Sequence, residues 1–168
     1  KTGAQKGDVL ILTKPVGTGA LLAAAMKGAL PSHTLSKLTE HLLQGNGAAV
    51  PALAAVDIHA ATDITGFGIL AHLREMLVDG RATIDATRIP IIEGFARVVA
   101  AGLHASNSQA NYRAVKDSVH VGPVQHSLFW HALFDPQTSG GLLLAVPESQ
   151  SAQAKMALVS AGYSATVA

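Results

Sequence analysis

One carboxylate, two threonines and two glycines crowd into ATDITGFGIL, residues 61–70, just ahead of what reads as a helix. A helix N-terminus offers free N–H groups and the positive end of the helix dipole, which suits a phosphate. Gly66 and Gly68 would let backbone approach a ligand closely, and Asp63 would add an oxygen ligand to a Mg²⁺ bridging that phosphate. A plainer reading fits the same residues: Asp63 or Thr65 caps the helix by accepting a first-turn N–H. Capping residues are far commoner than metal ligands, so the stretch taken alone favours the cap.

Three other segments carry polar chemistry. DPQTSGG, residues 135–141, either forms a nest of N–H donors oriented by Asp135 or Gln137, or is a proline turn with a glycine hinge. KPVGTG, residues 14–19, sits between a strand and a helix where a dinucleotide fingerprint belongs, but Leu22 stands in place of the third glycine. Lys14 either reaches a phosphate from that turn or is solvated. Asn107, Ser108 and Asn111 either hydrogen-bond a substrate or satisfy turn backbone. The eight histidines form no HExxH, and His72 is expected to be packed or partly exposed on a helix flank, not a ligand. No GxxxxGK[ST] loop is present, and no Ser-His-Asp grouping can be assembled from spacing.

These segments need elements to hold them. Strands are expected at 7–13, 56–62, 81–86 and 141–146, with a last one running through the C-terminal GYSATVA. Helices are expected at 20–30, 34–47, 67–79, 89–103, 126–136 and 148–162, with a short one at 46–55 broken by Pro51. The 67–79 helix would face the core with Ile69, Leu73, Met76 and Leu77, and the last helix with Ala152, Met156 and Val159, stopping at Gly162. Residues 106–115 read as polar and irregular. Interleaved strands and helices without regular crossovers point to an α+β domain with a mixed β-sheet.

The 168 residues suit one domain, and 49% apolar against 14% charged residues excludes a disordered or solvating role. Twelve basic and eleven acidic residues without a basic run leave no footprint for nucleic acid or an anionic membrane. No apolar stretch approaches the ~20 residues of a membrane helix. With no cysteine there is neither a disulfide nor a thiol nucleophile here, which fits a cytoplasmic location. Lys1 is not a start methionine, so the chain reads as a piece of a longer protein.

Taken in order, GDVLILTKPVGTG, AATDITGFGILAHLREM and LFDPQTSGGLLLAV resemble the C-terminal half of the selenophosphate synthetase (selenide, water dikinase) family, with matches over nearly all 168 residues. That family is part of the aminoimidazole ribonucleotide synthetase superfamily, which implies the fold of its C-terminal domain for residues 1–168. The resemblance implies a full enzyme that converts ATP, selenide and water to selenophosphate, AMP and phosphate, using Mg²⁺. It implies that Asp63 helps bind the metal ions, and that Thr62, Thr65, Gly66, Gly68 and Asn111 serve the nucleotide. SNSQAN keeps Asn111 of a GGT-x-R-N-like stretch found in many members, with Ser108 at the threonine position. DPQTSGG is expected to support the site more than to do chemistry.

The nucleophilic cysteine or selenocysteine, its nearby lysine and the other metal-binding aspartates belong to the family's N-terminal half, so no catalytic residue is expected within this chain. Its implied partners are that N-terminal domain, ATP, selenide and, at full length, a second copy in a homodimer. Alone it is expected to lack synthetase activity and to hold ATP weakly at best. Two alternatives remain: another ATP-dependent synthetase of the superfamily, or a non-catalytic module that packs or dimerises.

Overall fold

The structure, a computed structural model, describes residues 1–120, 122, 124–125 and 127–167. Its centre is a four-stranded sheet made of β1 (Asp8–Leu12), β2 (Ala60–Asp63), β3 (Leu142–Pro147) and β4 (Thr166–Val167), in the order β2-β3-β1-β4. Every ladder is antiparallel, with Leu12 opposite Leu143 and Asp63 opposite Leu142. Among the described residues, parallel pairing is confined to a bridge between Val16 and Ile91. The class is α+β, as expected, but the sheet is antiparallel where a mixed one was expected, because its strands follow one another without parallel crossovers.

Strand side chains alternate between two apolar layers. Leu10, Leu12, Ala60, Leu143 and Ala145 face the larger core, and Ile11, Leu144 and Val146 face a smaller one. Helices cover both faces, so the near-continuous apolar run of β3 follows from burial on both sides. The larger core is closed by α1 (Thr18–Met26), α2 (Ser32–Leu43), α4 (Gly68–Leu77), α5 (Phe95–Ala100), α6 (Ser108–Val115) and α7 (Leu128–Phe134). The smaller core is closed by α3 (Ala49–Ala52) and α8 (Glu148–Ser160). None of the described helices is long and apolar enough to cross a membrane.

Five expectations about single elements are corrected. Residues 81–85 form no strand; Asp85 instead caps a 3₁₀ turn at Ala86–Arg88, accepting from the Thr87 N–H at 3.0 Å. That local side-chain bond competes with a ladder that would have had only Ala82, Ile84 and Ala86 to bury. Residues 106–115, expected to be irregular, contain α6, whose buried positions are Asn111 and Val115, one turn apart. A buried asparagine hides the apolar period. The helix expected from 89 begins only at Phe95, because Ile91 is drawn into the Val16 bridge and Gly94 turns the chain at φ 92°. The strand expected at 56–62 starts at Ala60, where pairing with Ala145 begins.

The fifth correction concerns α8, which buries Ala154 and Leu158 and leaves Met156 and Val159 65% and 53% exposed; Ala152 is exposed too. Small Ala154 lets the helix lie close on the sheet, and Leu158 then contributes about 2 kcal/mol of burial. Gly162 ends the helix at φ 89°, as expected. The helix expected from 126 runs from Leu128, N-capped by Ser127; residue 126 lies outside the described residues.

Candidate functional site: the turn after β2

Asp63 ends β2 at an exposed position, and its carboxylate makes no hydrogen bond or ion pair with any described residue. The chain then passes through buried Ile64, whose N–H donates to Gly141 O at 2.9 Å, and enters α4 at Gly68. No side chain caps α4. The capping reading of Asp63 and Thr65 therefore fails: Asp63 makes no such bond, and the Thr65 hydroxyl lies 3.0 Å from His72 Nε2. The N–H groups of Gly66 and Phe67 also find no partner among the described residues. A Cβ built on Gly66 would meet nothing within 4 Å, so that backbone stands open.

The other residues expected to serve the nucleotide make contacts within the domain. Thr62 is buried on the face of Ala60, and its hydroxyl bonds the Asp63 carbonyl at 3.2 Å. Gly68 sits at φ 75° with the backbone of Leu133, Phe134 and Asp135 3.2–3.3 Å from where a Cβ would be. The end of α7 packs there, which a Cβ would not allow. Asn111 is buried, and its amide donates to Gly66 O at 2.9 Å and Phe134 O at 3.0 Å, tying the turn to α7. Thr65 O accepts from the Gln137 N–H at 3.0 Å. Ser108 and Asn107 lie at the start of α6, and Asn107 makes no side-chain cap bond there.

DPQTSGG is the brace behind this turn. Gln137 Oε1 accepts the N–H groups of Gly17 and Thr18 at 3.0 and 3.3 Å, and Asp135 accepts those of Gly19 and Ala20 at 2.9 Å each. Four successive donors at the N-terminus of α1 are thereby consumed, which leaves KPVGTG no phosphate cradle. Gln137 Nε2 closes the network onto Asp135 Oδ2 at 2.9 Å. Burial raises the Asp135 carboxyl to about 6, against the opposing pull of these donors. A Cβ on Gly140 would stand 2.1 Å from Ile64 O, so this glycine is what lets the brace touch the turn.

Lys14 neither reaches outward nor is solvated. It is wholly buried and gives its three protons to His41 O at 2.9 Å, Gln44 O at 2.7 Å and Ser139 O at 2.6 Å. Two of those carbonyls are the orphan acceptors at the C-terminus of α2, where a cation also meets the negative dipole end. Burial lowers the Lys14 ammonium from its ordinary value. His41 is held at about 4, chiefly by burial and secondarily by Lys14. The order of the motifs pointed to Asp63; nothing in the sequence marked Lys14 as a core residue or His72 as a partner of Thr65.

The turn can thus present a carboxylate and two N–H donors to a ligand. A hard oxygen donor without a partner suits Mg²⁺, but the ion takes about six oxygens. Among the described residues no group of three or more His, Cys, Asp or Glu could hold a metal. Asp63 fits as one ligand of a site whose other oxygens come from phosphate, water or another segment.

The family model for "AIR synthase related protein, C-terminal domain" matches residues 5–168. The selenide, water dikinase of Clostridium botulinum (strain Eklund 17B / Type B) is 36% identical over 152 residues, covering 89% of this chain and 44% of that protein. The selenide, water dikinase of Carboxydothermus hydrogenoformans is 43% identical over 150 residues, covering 86% and 42%. The chain thus spans less than half the length of these curated relatives. Among solved structures, thiamine-monophosphate kinase from Stenotrophomonas maltophilia K279a superposes with a TM-score of 0.65 at 19% identity, over 99% of this chain and 48% of that one. That likeness shows a shared fold. This chain belongs to the family of AIR synthase related proteins, as their C-terminal domain.

Proposed function

We propose that residues 1–168 are the C-terminal half of an ATP-dependent, cytoplasmic selenide, water dikinase, which converts ATP, selenide and water to selenophosphate, AMP and phosphate. The observation that carries this reading is the identity to relatives of that name along nearly nine-tenths of the chain. The free carboxylate and open backbone of the turn after β2 support it, because they are the groups a metal-bridged triphosphate needs.

In this reading Asp63 gives one oxygen to Mg²⁺. The bound ion would neutralise phosphate charge. The N–H groups of Gly66 and Phe67, at the positive end of α4, donate to phosphate oxygens, and the bare Cα of Gly66 admits the close approach. Thr65, Asn111 and Gln137 keep the turn in place, with Thr62 and Gly68 packed beneath it. The chain has no cysteine, so the nucleophile and the remaining carboxylates come from the N-terminal half, with which this domain packs in a homodimeric enzyme.

The reading is tested by ³¹P NMR of the full-length protein incubated with Mg²⁺, ATP and selenide. Selenide-dependent appearance of AMP, phosphate and selenophosphate is expected. ADP as the product would assign the chain to another branch of the superfamily, and no ATP turnover would leave the non-catalytic module. Residues 1–168 alone are expected to make none of these products.

A further inference from the structure

Thr65 is the residue best placed to cap α4, yet it does not. Its N–H lies 3.2 Å from His72 Nε2 and its hydroxyl 3.0 Å from the same atom. His72 is on the second turn of α4 and only 3% exposed. A backbone N–H can only donate, so Nε2 accepts and the ring proton of this neutral tautomer sits on Nδ1. That nitrogen is buried without a hydrogen-bond partner among the described residues, 3.7 Å from Glu75 Oε2. An imidazole here costs burial of a polar ring that leucine or methionine would avoid. What it supplies in return is an acceptor at Nε2.

Without that acceptor, the Thr65 side chain is free to turn its oxygen onto the N–H of Phe67, two residues on, the local bond that a threonine before a helix ordinarily accepts. That N–H is one of the two donors that the reading above assigns to phosphate. We propose that His72 is a positioning residue of the nucleotide site: it engages Thr65 so that the N-terminus of α4 stays uncapped and open to phosphate. The inference rests on the phosphate role of this turn. It explains why a helix preceded by Thr65 and Asp63 has no side-chain cap.

A double-mutant cycle in the full-length protein tests it, reading KM for Mg·ATP, kcat and thermal stability for wild type, His72→Leu, Thr65→Val and the double variant. His72→Leu releases the hydroxyl and is expected to raise KM about tenfold, the weight of one hydrogen bond, with kcat within about threefold. Removing the hydroxyl as well, in the double variant, is expected to bring KM back towards wild type. His72→Gln, which keeps an acceptor near Nε2, is expected to retain most of the affinity even if His72→Leu folds poorly. A double variant no better than His72→Leu, together with His72→Gln as impaired as His72→Leu in both KM and kcat, would overturn the proposal and leave His72 a packing residue. Wild-type protein that fails to bind Mg·ATP would overturn the phosphate reading itself, a result recognisable before any variant is made.

Discussion

Asp135, buried in the brace behind the site, and half-buried His41 of α2 have effects on stability that oppose each other, and separating them tests the packing directly. Asp135 is 2% exposed and its carboxyl is raised from 3.8 to about 6 by burial. The folded chain therefore binds this proton more readily than the unfolded one. The stabilisation is fully present below about 4 and is lost as pH rises through about 6, amounting to ~3 kcal/mol for a shift of about two units. His41 is lowered from 6.5 to about 4 by burial and by Lys14. Here the unfolded chain takes the proton first, so acidification from 6.5 to 4 costs ~3 kcal/mol.

The two contributions nearly cancel across the same window. Asp135→Asn leaves only the His41 effect, so the stability difference between variant and wild type should move by ~3 kcal/mol against the variant as pH falls from 6.5 to 4. His41→Gln should move it by a similar amount the other way. Urea unfolding of residues 1–168, followed by the fluorescence of Trp130, the single tryptophan, reads both. Profiles of Asp135→Asn and wild type that run parallel over this range would refute the buried, ionisable brace.

Three further outcomes follow from the same contacts. Lys14→Met leaves the carbonyls of His41, Gln44 and Ser139 without their donor and should cost about 3–5 kcal/mol in the same unfolding assay. Gly140→Ala drives a Cβ onto Ile64 O and should lower stability by about 3 kcal/mol or more, whereas Gly66→Ala, in open space, should leave stability within about 0.5 kcal/mol while weakening Mg·ATP binding by full-length protein. Asn111→Ala removes the donor of two carbonyls and should cost about 1–3 kcal/mol of unfolding free energy.

Strands rich in β-branched and leucine side chains were legible wherever burial on both faces made a run, as in β1 and β3. The α+β class and the 67–79 helix, with Ile69, Leu73 and Met76 inward, followed from periodicity. What failed to show was any role set by a distant partner. Lys14 is a core residue only because Ser139, 125 positions away, folds over it. Asn111 reads as loop chemistry until Gly66 and Phe134 arrive as acceptors. In α8 the bulkier Met156 and Val159 marked the wrong face, because contact with a sheet rewards the small Ala154 over hydrophobic size. Asp63 was proposed from the order of the motifs, while its freedom from any capping bond became visible only in the structure.

The central claim, that this turn supplies one carboxylate of a metal and nucleotide site shared with another segment, is met most directly by Asp63→Asn in the full-length protein. The Asp63 carboxylate is exposed and unpartnered among the described residues, so thermal stability should stay within about 0.5 kcal/mol. A Mg²⁺ titration of selenide-dependent AMP formation should then show activity lost, or regained only at a far higher Mg²⁺ concentration. An unchanged Mg²⁺ dependence and rate in a stably folded Asp63→Asn protein would contradict the account.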